Sequence, residues 1–219
     1  MTSTINQLHD ILRNDPVTLM RDKLNYFLKR CDKKKLNFKH ISEIGTFCAG
    51  TAHLLAQHYP RAIINTVDVN LWDQYFLPNR NNEHIRQMVQ QHYRELYDIR
   101  LRLPEQIPQI QSFYESINPN LTLHENHLDL TGSDLIIIDG DHSPEGIRRD
   151  FEQIVEQAPR ATLFCDDTHI SYIFKIVQRM AQKYNYRLSG PYWHRHYTIL
   201  TPLLRLENAV HTKSTQRSD

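Results

Sequence analysis

Hydrophobic residues in this chain fall into two rhythms that alternate from about residue 40 to residue 200. Short runs are apolar without a break: Leu135 to Ile138 and Thr162 to Cys165 each carry three or four consecutive buried-type side chains. Such runs suit strands covered on both faces. Between them the period lengthens to that of a helix. Pro144 to Gln157 places Ile147, Phe151 and Ile154 on one face, with a proline near its first turn, and Ile170 to Tyr184 carries Ile173, Phe174, Ile176, Val177 and Met180. The same reading predicts a strand from His40 into a turn at Phe47, a helix from Thr51 to His58, and a strand from Ala62 to Val69. It adds a short strand at Leu121 to Leu123 and closing strands at Tyr186 to Leu188 and Tyr197 to Leu200.

Strands alternating with helices predict an α/β fold, with a doubly wound, mostly parallel, seven-stranded sheet and helices on both faces. The flanks differ. Residues 1–38 are charged and periodic, with Ile5, Leu8, Ile11, Leu12, Leu19, Leu24, Phe27 and Leu28, and predict a helical extension interrupted near Pro16. The main domain then spans 39–205, and 206–219 is a polar tail. Within the domain, 71–118 is longer than a plain connection requires and rich in aromatic residues. A helix is expected over His84 to Arg102, stopping at Pro104 and Pro108.

Two of the apolar runs end abruptly in acid. Asp139-Gly-Asp-His142 follows one, and Asp166-Asp-Thr-His169 follows the other. Ligands of parallel sheets gather at the carboxyl ends of strands. Neighbouring strands would therefore deliver Asp139, Asp141, Asp166 and Asp167 to one spot, where carboxylates repel unless a cation or a proton sits among them. Asp166 and Asp167 can both serve only if the backbone has left the strand, because alternate residues face opposite sides. Asp141 is either a base or a turn-forming residue beside Gly140. His142 either works in the site or satisfies a backbone carbonyl, and His169 suits a helix start better than a ligand. His194 and His196 share one face of an edge segment, and nothing near them completes a metal set.

Composition changes this picture little. The formal net charge is +1 and three cysteines lack paired spacing, which implies a reduced, cytoplasmic protein rather than a disulfide framework. No apolar run reaches the roughly 20 residues that span a bilayer, so no membrane partner is expected. Nor is nucleic acid expected, given the balanced charge. A homo-oligomer is left open.

The turn Glu43-Ile-Gly-Thr-Phe-Cys-Ala-Gly-Thr51 joins the first strand to its helix. It is neither a dinucleotide fingerprint nor a P-loop. Asp68, ending the second strand, stands where a carboxylate can accept from ribose hydroxyls. An acidic strand end without a pyrophosphate turn suggests a nucleoside ligand lacking a diphosphate. Cys48 lies in this turn with no positioned base to activate it.

E-I-G-T-F-C-A-G-T, T-V-D-V-N, D-L-I-I-I-D-G-D-H-S-P-E-G and F-C-D-D-T-H together resemble the class I S-adenosylmethionine-dependent methyltransferases. More narrowly, I-D-G-D-H-S-x-E-G is similar to a bacterial group that usually reads I-D-G-D-H-S-Y-E-G, related to metal-dependent O-methyltransferases acting on sugars, catechols and natural products. The resemblance covers about residues 40 to 200. It implies that Glu43, Gly45, Gly50 and Thr51 shape the site for the methionine part of the cofactor, with Asp139 also at the cofactor. Asp68 would hold the ribose, and the segment His124 to Asp129 would lie near adenine. It further implies Mg²⁺ on Asp139, Asp166 and Asp167, with Asp141 or His142 as general base for a small-molecule acceptor. Pro144 departs from the usual aromatic residue and alters the loop beside that acceptor. Two other functions are carried: a metal-dependent hydrolase using the Asp139, Asp166 and Asp167 cluster, and a non-catalytic binding module of the same fold.

Overall fold

The computed structural model describes residues 21–68, 103–192 and 196–203. The helices expected before residue 21, the helix over His84 to Arg102, His194 and the tail from 206 lie outside the described residues. In chain order the elements are α1 (Arg21–Lys33), β1 (His40–Ile44), α2 (Gly50–His58), β2 (Ile63–Asp68), α3 (Leu103–Ile117) and β3 (Leu121–Glu125). They continue with β4 (Leu135–Ile138), α4 (Pro144–Gln157), β5 (Thr162–Cys165), α5 (Ser171–Lys183), β6 (Tyr186–Tyr192) and β7 (Tyr197–Pro202). The strands form one seven-stranded sheet in the order β3-β2-β1-β4-β5-β7-β6. β1, β2, β3, β4 and β5 run parallel, and β7 runs antiparallel to both β5 and β6.

The apolar runs at the centre account for this layering. All four residues of β4 are buried, and their alternation feeds two cores. Leu135 and Ile137 join α1, α2 and α3 on one face through Leu24, Phe27, Leu55, Ile110 and Tyr114. Ile136 and Ile138 meet α4 and α5 on the other through Ile147, Phe151, Ile154, Ile173 and Val177. Each such side chain contributes about 1.5–3 kcal/mol on leaving water. Fixing β4 between β1 and β5 therefore stabilises the fold more than any edge strand can.

α1 is part of this core. Its apolar residues Leu24, Phe27, Leu28 and Cys31 recur at helical spacing and are all buried. The Phe27 ring meets Phe164 of β5 edge-on, with centroids 5.1 Å apart. The Arg30 guanidinium lies 4.7 Å from the Tyr192 ring centre, and His58 Nε2 is 3.0 Å from Asp32 Oδ1. These contacts hold the helix against that face of the sheet, with Lys23 at the end where β4 and β5 finish.

The helix expected to stop at Pro104 and Pro108 lies outside the described residues; both prolines fall within α3, where Pro108 removes one ladder bond. Among the described residues no helix is long and apolar enough to cross a membrane.

Candidate functional site

Sheet order reverses between β1 and β4, whose following connections leave toward opposite ends of the sheet. A crevice opens at such a switch point, at the carboxyl ends of the strands. Here it is bounded by the turns after β1, β4 and β5.

The turn after β1 is held by its neighbours. Gly45 has φ +105, and a Cβ there would overlap the carbonyl of Asp139, so only glycine fits. Its N–H donates to Val67 O at 2.8 Å, and Asp139 N–H donates to Ile44 O at 2.9 Å. Phe47 and Ala49 take left-handed φ values of 45 and 59, costly for residues with a side chain. Two anchors hold that shape: Phe47 N–H donates to Asp68 Oδ2 at 2.8 Å, and Gln111 Nε2 donates to Phe47 O at 2.6 Å. Asp68 thus clamps the turn from the end of β2. Gly50 and Thr51 are buried at the start of α2, and the residue before it, Ala49, supplies no side-chain cap.

Glu43 is buried beneath the turn. Its Oε2 accepts from Thr66 Oγ1 at 2.8 Å, which also meets Thr46 Oγ1 at 2.8 Å. Burial pushes its carboxyl up to about 8, helped by the charge of Asp68 and opposed by the Thr66 hydrogen bond.

β4 ends at Ile138 and β5 at Cys165, so all four acidic residues lie beyond the strands. Asp166 N–H still donates to Ile138 O at 3.0 Å, and Asp167 then turns through φ 49. That turn brings both carboxylates of the pair to one group, the Lys23 ammonium. Nζ donates to Asp166 Oδ1 at 2.8 Å, to Asp166 Oδ2 at 2.7 Å and to Asp167 Oδ1 at 3.1 Å. Burial alone would lower the Lys23 pKa, but the two carboxylates outweigh it and hold it above the ordinary range.

Asp139 and His142 complete the group. His142 Nε2 lies 3.6 Å from Asp139 Oδ1, and Nδ1 lies 3.9 Å from Asp167 Oδ2. Nε2 is enclosed and has no hydrogen-bond partner among the described residues, while the backbone carbonyl of His142 accepts from Tyr172 OH at 3.2 Å. The Asp139 carboxyl is raised well above the carboxylate range, first by burial and then by the charges of Asp166 and Asp167. Asp139, His142 and Asp167 can offer one ligand atom each within 4.8 Å of one another. Asp166, expected with them from sequence, is not in that set. It faces Lys23.

Asp141 points elsewhere. Its Oδ1 accepts from Ser143 N at 2.8 Å and its Oδ2 from Ser143 Oγ at 3.0 Å, and Ser143 Oγ accepts in turn from Gly146 N at 3.0 Å. A Cβ at Gly146 would overlap this carboxylate. The Ser143 backbone bond, with Arg149 nearby, holds Asp141 below its ordinary pKa. It organises the start of α4 and is a poor proton acceptor there. His169 lies 3.8 Å from Asp167 Oδ1 and stacks on exposed His196 with ring centres 3.9 Å apart. Burial, then His169, lowers the His196 pKa. Cys48 is buried, with its thiol pushed well up. In the segment from His124, that ring meets Asn65 Oδ1 at 3.0 Å, and Asn126 N–H donates to Asp68 O at 3.0 Å.

Sequence reasoning missed Lys23. Its signal was present: it adjoins the apolar stripe of α1, and the acidic strand ends required a cation.

No family model and no curated protein matches the sequence. Solved structures do match in fold. A Staphylococcus aureus protein assigned as a caffeoyl-CoA O-methyltransferase aligns with TM-score 0.58 and 11% identity, over 89% of this chain and 91% of its own. The O-methyltransferase TomG of Streptomyces achromogenes, solved with SAM, aligns with TM-score 0.54 and 10% identity over 91% and 89%. A precorrin-6y C5,15-methyltransferase of Geobacter metallireducens gives 0.52 and 13% over 85% and 90%. The chain therefore has the Rossmann-like fold of class I methyltransferases.

Proposed function

We propose that this protein is an S-adenosylmethionine-dependent methyltransferase that acts on an oxygen of a small molecule. One observation carries the proposal: the Asp68-clamped turn after β1 and the Asp139–His142 loop after β4 face the same switch-point crevice. The turn would hold the nucleoside and amino-acid parts of the cofactor. Asp68 lies where a ribose would sit, and the start of α2 offers N–H groups to a carboxylate. Bound S-adenosylmethionine would supply an electrophilic methyl group on its sulfonium.

The chain's own task is to orient the acceptor and take its proton. His142 is suited to this, since its Nε2 has no hydrogen-bond partner among the described residues while Asp139 and Asp167 flank the ring. A hydroxyl placed beside the ring would pass its proton to Nε2. Asp141, engaged at the helix start, is left as a positioning residue for the same loop.

The Mg²⁺ expected from sequence does not fit this arrangement. Two of its three carboxylates, Asp166 and Asp167, already hold the Lys23 ammonium. No step above needs the metal. The same contact weighs against the hydrolase alternative, which requires it.

The test is calorimetric titration of S-adenosylhomocysteine into the purified chain in EDTA. Micromolar binding is expected. Asp68→Ala should weaken it by about 1.5–3 kcal/mol, roughly 10- to 100-fold, as charge-assisted hydrogen bonds are lost. Absence of binding in the folded wild-type chain would overturn the cofactor assignment; unchanged affinity in the variant would remove the ribose role.

A further inference from the structure

We infer that Lys23 is the resident cation of the acidic site and stands in place of a divalent metal. The ammonium has three N–H donors, and three carboxylate oxygens receive them, at 2.8, 2.7 and 3.1 Å. These are charge-assisted hydrogen-bond lengths, and they use the whole donor set. A magnesium ion would need oxygens converging at about 2.0–2.1 Å in octahedral geometry. Both cations cannot occupy the three-carboxylate seat expected from sequence at once, because each draws on the oxygens of Asp166 and on Asp167 Oδ1.

The ammonium is not free to leave. Lys23 is 16% exposed and sits on a helix whose Leu24, Phe27, Leu28 and Cys31 are all buried. Withdrawing it means exposing Asp166, which is 4% exposed, without a counter-charge. A buried carboxylate stripped of its partner is strongly disfavoured. A metal bound through Asp166 must displace Lys23 and carry that cost, so Lys23 sets the cation specificity of the carboxylate pair. The inference rests on these contacts alone and is independent of the methyltransferase assignment.

Mn²⁺ is the probe, followed through the electron paramagnetic resonance signal of the free ion. Wild-type protein should leave millimolar Mn²⁺ free. Lys23→Met, which keeps the apolar stem and removes the charge, should bind Mn²⁺ at least tenfold more tightly. Lys23→Arg should behave as wild type. Adding Asp167→Asn to Lys23→Met should remove the gained affinity. Micromolar Mn²⁺ binding by wild type would overturn the inference, as would a folded Lys23→Met that gains nothing. The wild-type titration decides by itself where Lys23→Met does not fold. S-adenosylhomocysteine titrated into the same samples tests the cofactor assignment separately: either result can fail while the other stands.

Discussion

Gly45 joins two of the loops that build the site, and its replacement has a calculable cost. Two penalties combine in Gly45→Ala. The backbone sits at φ +105, where an L side chain costs about 1–2 kcal/mol. The new methyl group would also stand 2.6 Å from the carbonyl carbon of Asp139 and 3.0 Å from Gly140 N. Neither can give way cheaply. Asp139 N–H is bonded to Ile44 O at 2.9 Å, and the next strand is tied in by Asp166 N–H to Ile138 O at 3.0 Å. Overpacking of this kind costs about 1–3 kcal/mol. The total is about 2–5 kcal/mol, which for a chain of this size lowers the melting temperature by about 4–20 °C.

Gly132→Ala is the control. Its φ is +82, but among the described residues a methyl there meets only His40 Nδ1, at 3.7 Å. It should show the backbone penalty alone, about 1–2 kcal/mol. Thermal melts followed by circular dichroism compare the two directly. A Gly45→Ala protein that melts no lower than Gly132→Ala would refute the packing argument, and any surviving Gly45→Ala protein should have lost S-adenosylhomocysteine binding.

Three further outcomes are expected. Glu43, raised to about 8 from an ordinary 4.5, binds its proton more tightly when folded. Its contribution to stability is therefore full below about pH 4.5 and lost as pH rises through about 8. Glu43→Gln should flatten the decline in urea midpoint across that window; an unchanged decline would assign it to other groups. At the loop after β4, His142→Gln should lower the methyl-transfer rate about 10²- to 10⁴-fold with little change in S-adenosylhomocysteine affinity. Asp141→Ala should instead cost about 1–3 kcal/mol of stability and lower the rate far less than His142→Gln does; a pair of variants with these effects exchanged would move the base to Asp141.

What could be read from the sequence follows from how far each signal reaches. β4, α4 and β5 coincide with the apolar and amphipathic runs that predicted them, because buried strands and two-faced helices write local patterns. The edges were read short. β3 runs on to Glu125, β6 to Tyr192 and β7 to Pro202, where half-exposed strands mix polar with apolar residues. The antiparallel direction of β7 left no mark, since alternation is the same in either sense. At the site, Asp139, His142 and Asp167 announced themselves by ending apolar runs. Asp141 stood in the same motif, yet its two oxygens serve Ser143.

Lys23 marks the boundary of this kind of legibility. Its contact with Asp166 spans 143 residues, and it is one of 26 basic residues in the chain. Acidic strand ends specify that positive charge must arrive; they do not specify its source. The source is decided by where α1 packs, and that depends on Phe27 meeting Phe164 and Arg30 meeting Tyr192. A single ammonium brings half the charge of a divalent ion to the same carboxylates. The shortfall falls on Asp139, whose carboxyl is raised by burial and by the charges of Asp166 and Asp167. An acidic motif on this fold is therefore a statement about charge demand. Whether metal or lysine meets it depends on a helix far away in sequence, which must be placed before the motif is given a metal.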